Sequence, residues 1–247
     1  MKAMHTIFDH LLFALLLILP LIEWRWTWPR FLARLASGQP DVRWRFYRGV
    51  VFSQWTVVLA LMAYWIFYRR PWVWLLLGTP PALRFACGMA IGLLGVAFLY
   101  WQRLQILRRH EATAQAMRQL ESAAPLLPHR ANENRMFKVV SVTAGVCEEI
   151  LFRGFLLWYF TASAGTAVAV ILSSLVFGLG HIYMGASQVP KTAGAGMVMA
   201  CLAIASGSLW PAILIHAAAD WNSGEVGYRL LGNGLLKDAN AKLLSQS

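Results

Sequence analysis

Charged residues are scarce in this chain, making up 13% of its 247 residues, about half the share of an ordinary soluble domain. Acids are scarcer still, with 11 Asp and Glu against 22 Lys and Arg. Stretches such as 50–68 and 85–102 carry no Asp, Glu, Lys or Arg at all. These absences exclude a disordered chain and a typical soluble enzyme. Cysteine is also rare: Cys87, Cys147 and Cys201 all lie in apolar runs and none has a CxxC partner. That excludes a disulfide-stapled module, and each thiol reads as a small buried hydrophobe. What is abundant is apolar surface. Hydrophobic residues make up 58% of the chain, with 12 Trp and 13 Phe, a composition that predicts a polytopic membrane protein.

A membrane-crossing helix needs about 20 apolar residues. The first run, Ile7 to Ile22, could pass for a signal peptide. It is followed by Glu23-Trp-Arg-Trp-Thr-Trp-Pro-Arg30 with no small-residue cleavage site, so it reads as a retained helix with an aromatic, basic flank. The second run is Gly49 to Tyr68 and the third Phe85 to Gln102, both fenced by arginines. Between them, the proline-broken stretch Pro71–Leu83 is expected to lie in the membrane interface. Residues 103–138 form the one long polar segment, a basic loop whose first half reads as an amphipathic helix broken by Pro125 and Pro128. Four more runs follow at about Val139–Phe160, Thr166–Gly185, Thr192–Leu209 and Pro211–Leu231.

The fold class is therefore all-α, a polytopic transmembrane bundle of about seven spans. Its parts are N-terminal helices over 1–102, the loop 103–138, a core over 139–231 with the last four spans, and a tail over 232–247. Threading seven spans places seventeen of the 22 Lys and Arg on one side and four on the other. By the positive-inside rule the N-terminus lies outside and the C-terminus in the cytoplasm, in a plasma or inner membrane. The same placement accounts for the net charge of +11 without nucleic acid, for which no binding module is present.

Ionisable groups are costly inside a bilayer and call for a reason. The first three runs hold few beyond His5, Asp9 and His10 near one end. The last four hold Glu148, Glu149, Arg153, His181, His216, Asp220, Glu225 and Arg229, which places function in the C-terminal half. Glu149 and Arg153 are i and i+4, the favoured order for an ion pair. Glu148 points about 100° away and stays unpaired within its own helix, free to act as a base or a ligand. His181 closes the run Phe177-Gly-Leu-Gly-His181, whose glycines permit close approach of a helix or substrate. His216 and Asp220, again i and i+4, share a face across three alanines, while Asn222 and Glu225 fall on other faces. Each signal alone also fits a structural role: a Glu–Arg brace, a packing histidine, a His–Asp bond that sets helix rotation. Together, in three adjacent spans, they suit activation of a water for hydrolysis.

Read as EExxxR (Glu148, Glu149, Arg153), FxxxH (Phe177, His181) and HxxxD (His216, Asp220), the set resembles the CPBP family of CAAX-processing and bacteriocin-processing intramembrane proteases, the type II CAAX prenyl endopeptidase group. The resemblance covers about residues 139–231. It implies a helical membrane endopeptidase acting on a membrane-associated protein or peptide, with membrane lipid around it. By the same resemblance Glu148 activates the water with help from His181, and Glu149 and Arg153 brace the site. His216 and Asp220 polarise the scissile carbonyl or help hold a metal. Two mechanisms stay open: a zinc ion held by Glu148, His181 and His216, or a metal-free, glutamate-based route with no cofactor. The Asn common in the family at the Asp220 position favours the second. No HExxH, GxSG or aspartyl-dyad pattern is present. The rival readings are an ion- or proton-coupled transporter, which the lack of internal repeats disfavours, and a non-catalytic adaptor or immunity protein of the same fold.

Overall fold

The computed structural model describes residues 5–232, and among them it contains helices, turns and no strand. Helix α1 (Ile7–Ile22) runs through a π turn at Glu23–Thr27 into α2 (Trp28–Ala36), forming one apolar rod. Pro20 lies inside α1, where it removes one helical N–H donor, and the wide turn follows it directly. Next come α3 (Val42–Phe67), α4 (Ala82–Arg108) and α5 (His110–Leu120). Helix α6 (Ala131–Glu148) passes through a π segment at Glu149–Leu156 into α7 (Leu157–Ala164). The chain closes with α8 (Thr166–Leu179), α9 (Gln188–Ser206) and α10 (Trp210–Gly227), the last extended by a π turn to Gly232.

Four of these, the α1–α2 rod, α3, α4 and α9, are long and apolar enough to cross a membrane, and α8 is apolar but only 14 residues long. Helix α6, the π segment after it and α10 carry most of the ionisable residues of the C-terminal half. The protein is an all-helical membrane bundle. The tail beyond Gly232, with Lys237 and Lys242, lies outside the described residues, as does Lys2.

Helix α8 packs on α9, while α10 packs on both α6 and α4, and α6 on α3. Small residues make the closest of these contacts. A methyl group on Gly145 would lie 2.7 Å from Ala217 Cβ, so α6 and α10 meet nearly backbone to backbone. A methyl on Gly178 would lie 2.6 Å from the Val189 carbonyl oxygen, which does the same for α8 and α9. The main core gathers around the π segment: Phe155 and Leu156 are fully buried with Trp65, Leu61 and Leu209.

The stretch after α3 forms a 3-10 turn at Trp72–Leu75 whose Leu75 is fully buried against Gly154 of the π segment. Leu76 O also accepts from Leu209 N at 3.1 Å, which ties the turn into the bundle. Of the three cysteines only Cys147 is buried; Cys87 and Cys201 are exposed on helix surfaces that periodicity alone could not orient. Much of the 103–138 loop is helix, because α4 runs on to Arg108 and α5 follows at once.

A second polar cluster closes the end of the bundle where α1 begins. Asp9 is fully buried and accepts two bonds from Arg70, both of 2.8 Å. The guanidinium lies 4.7 to 5.8 Å from the rings of Tyr64, Trp65, Tyr68 and Trp158, a desolvated aromatic box suited to a cation. Thr6 N adds a bond to Asp9 Oδ2 at 2.7 Å.

Candidate active site

The site is built where the π segment faces α10. A π turn inserts residues into an α-helix and recurs at functional sites. Here every residue from Glu149 to Leu156 is buried. Arg153 Nη1 donates to Glu149 Oε1 at 2.9 Å, the i, i+4 pair expected from the sequence. His216 Nδ1 lies 2.7 Å from the same oxygen, and it must donate, since a carboxylate only accepts. Its other nitrogen, Nε2, stands 3.8 Å from Glu148 Oε2 and 3.7 Å from Asp220 Oδ2. One imidazole is thus bordered by three carboxylates, two of them consecutive in sequence.

Side-chain exposure grades the cluster from inside to outside: 0% for Glu149, 1% for Arg153, 11% for His216, 18% for Glu148 and 41% for Asp220. The ion pair is therefore the floor, and Glu148 and Asp220 form the more exposed rim. Among the described residues Glu149 Oε2 and Arg153 Nη2 have no hydrogen-bond partner, so breaking the floor would leave still more buried polarity unpaired.

Phe177 occupies the centre. The Arg153 guanidinium lies 4.0 Å from its ring, and the rings of His181 and His216 meet it edge-on at 5.0 and 5.8 Å. Gly196 of α9 allows this stack, since a methyl there would lie 3.0 Å from both Arg153 Nη2 and Phe177 Cδ1.

His181 sits elsewhere than its spacing predicts. Helix α8 ends at Leu179, capped by Gly180, so His181 stands on a turn just past the helix end. The span expected to reach Gly185 stops there because residues 180–187 fold back into α9. His181 Nδ1 donates to Phe177 O at 3.0 Å, which leaves Nε2 as the nitrogen available in the neutral ring. The structure brings Glu148, Glu149, Arg153, His216 and Asp220 together directly, and His181 joins them through Phe177. Glu225 stands apart, bonded to Asn134 and Arg229.

One residue of the site escaped the sequence reading. Gln54 of α3 donates from Nε2 to Glu148 Oε1 at 2.8 Å. A lone Gln in the apolar run 50–68 was the available signal. Glu23 lies in the π turn that packs on the Ile182–Met184 turn beside His181, where Trp28 and Tyr183 are 4.9 Å apart.

Glu148, His181 and His216 were the residues expected to hold zinc. Among the described residues no three His, Cys, Asp or Glu side chains are grouped to hold a metal ion. Nδ1 of each histidine is engaged, His216 by Glu149 and His181 by Phe177 O, which leaves both Nε2 atoms as the nitrogens that could meet a metal.

Residues 132–222 match the family model described as Rce1-like, type II CAAX prenyl endopeptidase Rce1-like. No curated protein and no solved structure matches the chain. The matched segment starts at the head of α6 and ends two residues past Asp220, so it contains all three motifs and leaves out Gln54 and Glu23. Residues 132–222 are thus similar to the Rce1-like family of type II CAAX prenyl endopeptidases, the group that the three motifs resemble.

Proposed function

We propose that this protein is an intramembrane endopeptidase that hydrolyses a peptide bond in a membrane-associated protein or peptide, with Glu148 as the base. The observation that carries this reading is the position of Glu148: a carboxylate at the more exposed rim, held from behind by Gln54 and facing His216 Nε2 across 3.8 Å. A carboxylate so placed takes a proton from water as the oxygen attacks the scissile carbonyl carbon. The developing oxyanion is met by the positive side of the site, His216 backed by Arg153, while His181 Nε2, the accepting nitrogen of a ring whose Nδ1 donates to Phe177 O, helps Glu148 orient the attacking water. Glu148 then returns its proton to the leaving nitrogen as the C–N bond breaks, releasing a carboxylate and an amine. Glu149 holds His216 and Arg153 in orientation, and Asp220 orients His216 from the rim. No step uses a metal. The topology proposed from charge puts the N-terminus outside, the C-terminus in the cytoplasm and the rim of the site towards the cytoplasm.

The test is cleavage of a membrane-peptide library by the purified protein in detergent. Wild type, Glu148→Ala and His181→Ala are compared, each with and without a strong chelator. Products lost in both variants and unchanged by chelator support the glutamate route. Loss with chelator and recovery with zinc overturns it in favour of a metalloprotease. Products that persist in Glu148→Ala overturn the assignment of the base.

A further inference from the structure

Away from the site, one face of α3 forms a groove of about 660 Å³ closed on its far side by Met136 of α6, within the size range of small-molecule sites. Along α3 it is lined in helical register by Arg45, Arg48, Phe52, Trp55 and Leu59. From Arg45 to Leu59 the rise is about 21 Å at 1.5 Å per residue, close to one leaflet of a bilayer with its headgroup layer. Polarity runs the same way as in a lipid: two guanidinium groups at one end, then mostly apolar side chains with Thr56 as the one hydroxyl. No acid lines the groove.

The basic end is free to bind an anion. Arg45 and Arg48 are both exposed, and among the described residues neither pairs with a carboxylate. Arg45 donates one bond to Pro40 O, and Arg48 stacks on Trp44 at 4.8 Å. Each keeps further N–H donors in the fork geometry that suits phosphate. Gly49 opens the floor between them and the apolar part: a methyl group there would meet nothing within 4 Å. Phe52 and Leu59 are 76% and 60% exposed, far more apolar surface than a helix leaves without a lipid or partner over it.

We propose that this groove binds one anionic glycerophospholipid, with its phosphate between Arg45 and Arg48 and an acyl chain over Phe52, Trp55 and Leu59. The charge complementarity and the one-leaflet length select this occupant. Occupancy also bears on the site. Trp55 Nε1 donates to Thr143 Oγ1 of α6 at 3.3 Å, and its neighbour Gln54 holds Glu148. A lipid covering Trp55 therefore presses α3 onto α6 at the level of the base.

The binding itself is tested without any activity, by native mass spectrometry of the detergent-purified protein with equal amounts of phosphatidylglycerol and phosphatidylcholine. One retained phosphatidylglycerol is expected. Arg45→Gln with Arg48→Gln is expected to weaken it about tenfold or more. Gly49→Leu, which fills open space without a clash, is expected to block it while leaving the helices folded. Water-soluble glycerol 3-phosphate is expected not to displace it. Equal retention of both lipids, or retention unchanged in both variants, overturns the proposal. So does displacement by glycerol 3-phosphate, which would reduce the site to a phosphate site, or preferential retention of an uncharged farnesylated peptide, which would make the groove a channel for a substrate anchor.

Discussion

Gln54 Nε2 donates to Glu148 Oε1 over 2.8 Å, so a helix outside the matched segment 132–222 holds the carboxylate on which the proposed chemistry depends. The bond crosses from α3 to the last residue of α6, just before the π segment begins.

Replacing Gln54 by Ala removes a hydrogen bond to a charged group, worth about 1.5–3 kcal/mol. The expected outcome is a roughly tenfold to hundredfold fall in kcat with little change in KM. Steady-state kinetics on the peptide found by the library screen measure it. A kcat within twofold of wild type would show that Glu148 needs no help from α3.

The Glu149–Arg153 pair is fully buried. Removing one member leaves a charge without its partner, at a cost of about 3–5 kcal/mol. Arg153→Met should therefore lower the unfolding temperature in detergent sharply. Adding Glu149→Gln should recover part of the loss, while cleavage stays lost because His216 has lost its anchor. If Arg153→Met alone is as stable as wild type, the pair is not the floor of the site.

Gly145→Ala puts a methyl 2.7 Å from Ala217 Cβ and 2.8 Å from its backbone nitrogen. Overpacking of this kind costs about 1–3 kcal/mol, and here it also pushes His216 away from Glu148 and Glu149. Both stability and activity should fall. Ala217→Gly in the same chain should restore some of each, a suppression that thermal unfolding and cleavage rate report together.

His129 lies between α5 and α6, and burial, followed by the nearby charge of Arg43, holds its imidazole below the ordinary value of 6.5. The unfolded chain then binds the proton more readily than the folded one. This contribution to stability is present above about pH 6.5 and is lost as the pH falls below it. Melting temperature measured from about pH 7.5 to 5.5 should drop less in His129→Gln than in wild type. Parallel curves would show that the ring stays accessible to protons.

The residues of the sequence fare unequally once folded. Hydropathy placed α1 with the bounds the structure has and found α9 and α10 within about a turn, because a bilayer demands long apolar runs whatever they pack against; it found α3 and α4 too but cut off their polar ends, at Val42 and Arg108, by nearly two turns. The Glu149–Arg153 pair was legible too, since i, i+4 spacing is local geometry. His181 was misplaced, because whether a helix passes through Gly180 or stops there depends on the chain folding back into α9. Cys87 and Cys201 were misjudged because nothing in an all-apolar run says which face meets lipid.

The sequence by itself determined that this is a helical membrane bundle with its clustered ionisable groups in the C-terminal half, and it named the seven residues of three motifs. Composition, run length and local spacing suffice for that, as each acts within one element. Only the tertiary structure decided that Glu148 and Glu149 border opposite nitrogens of one imidazole, since this takes a π segment and two helices touching at Gly145 and Ala217. Only it could recruit Gln54, 94 positions away from Glu148, because no periodicity reports which distant helix a bundle sets beside a given residue.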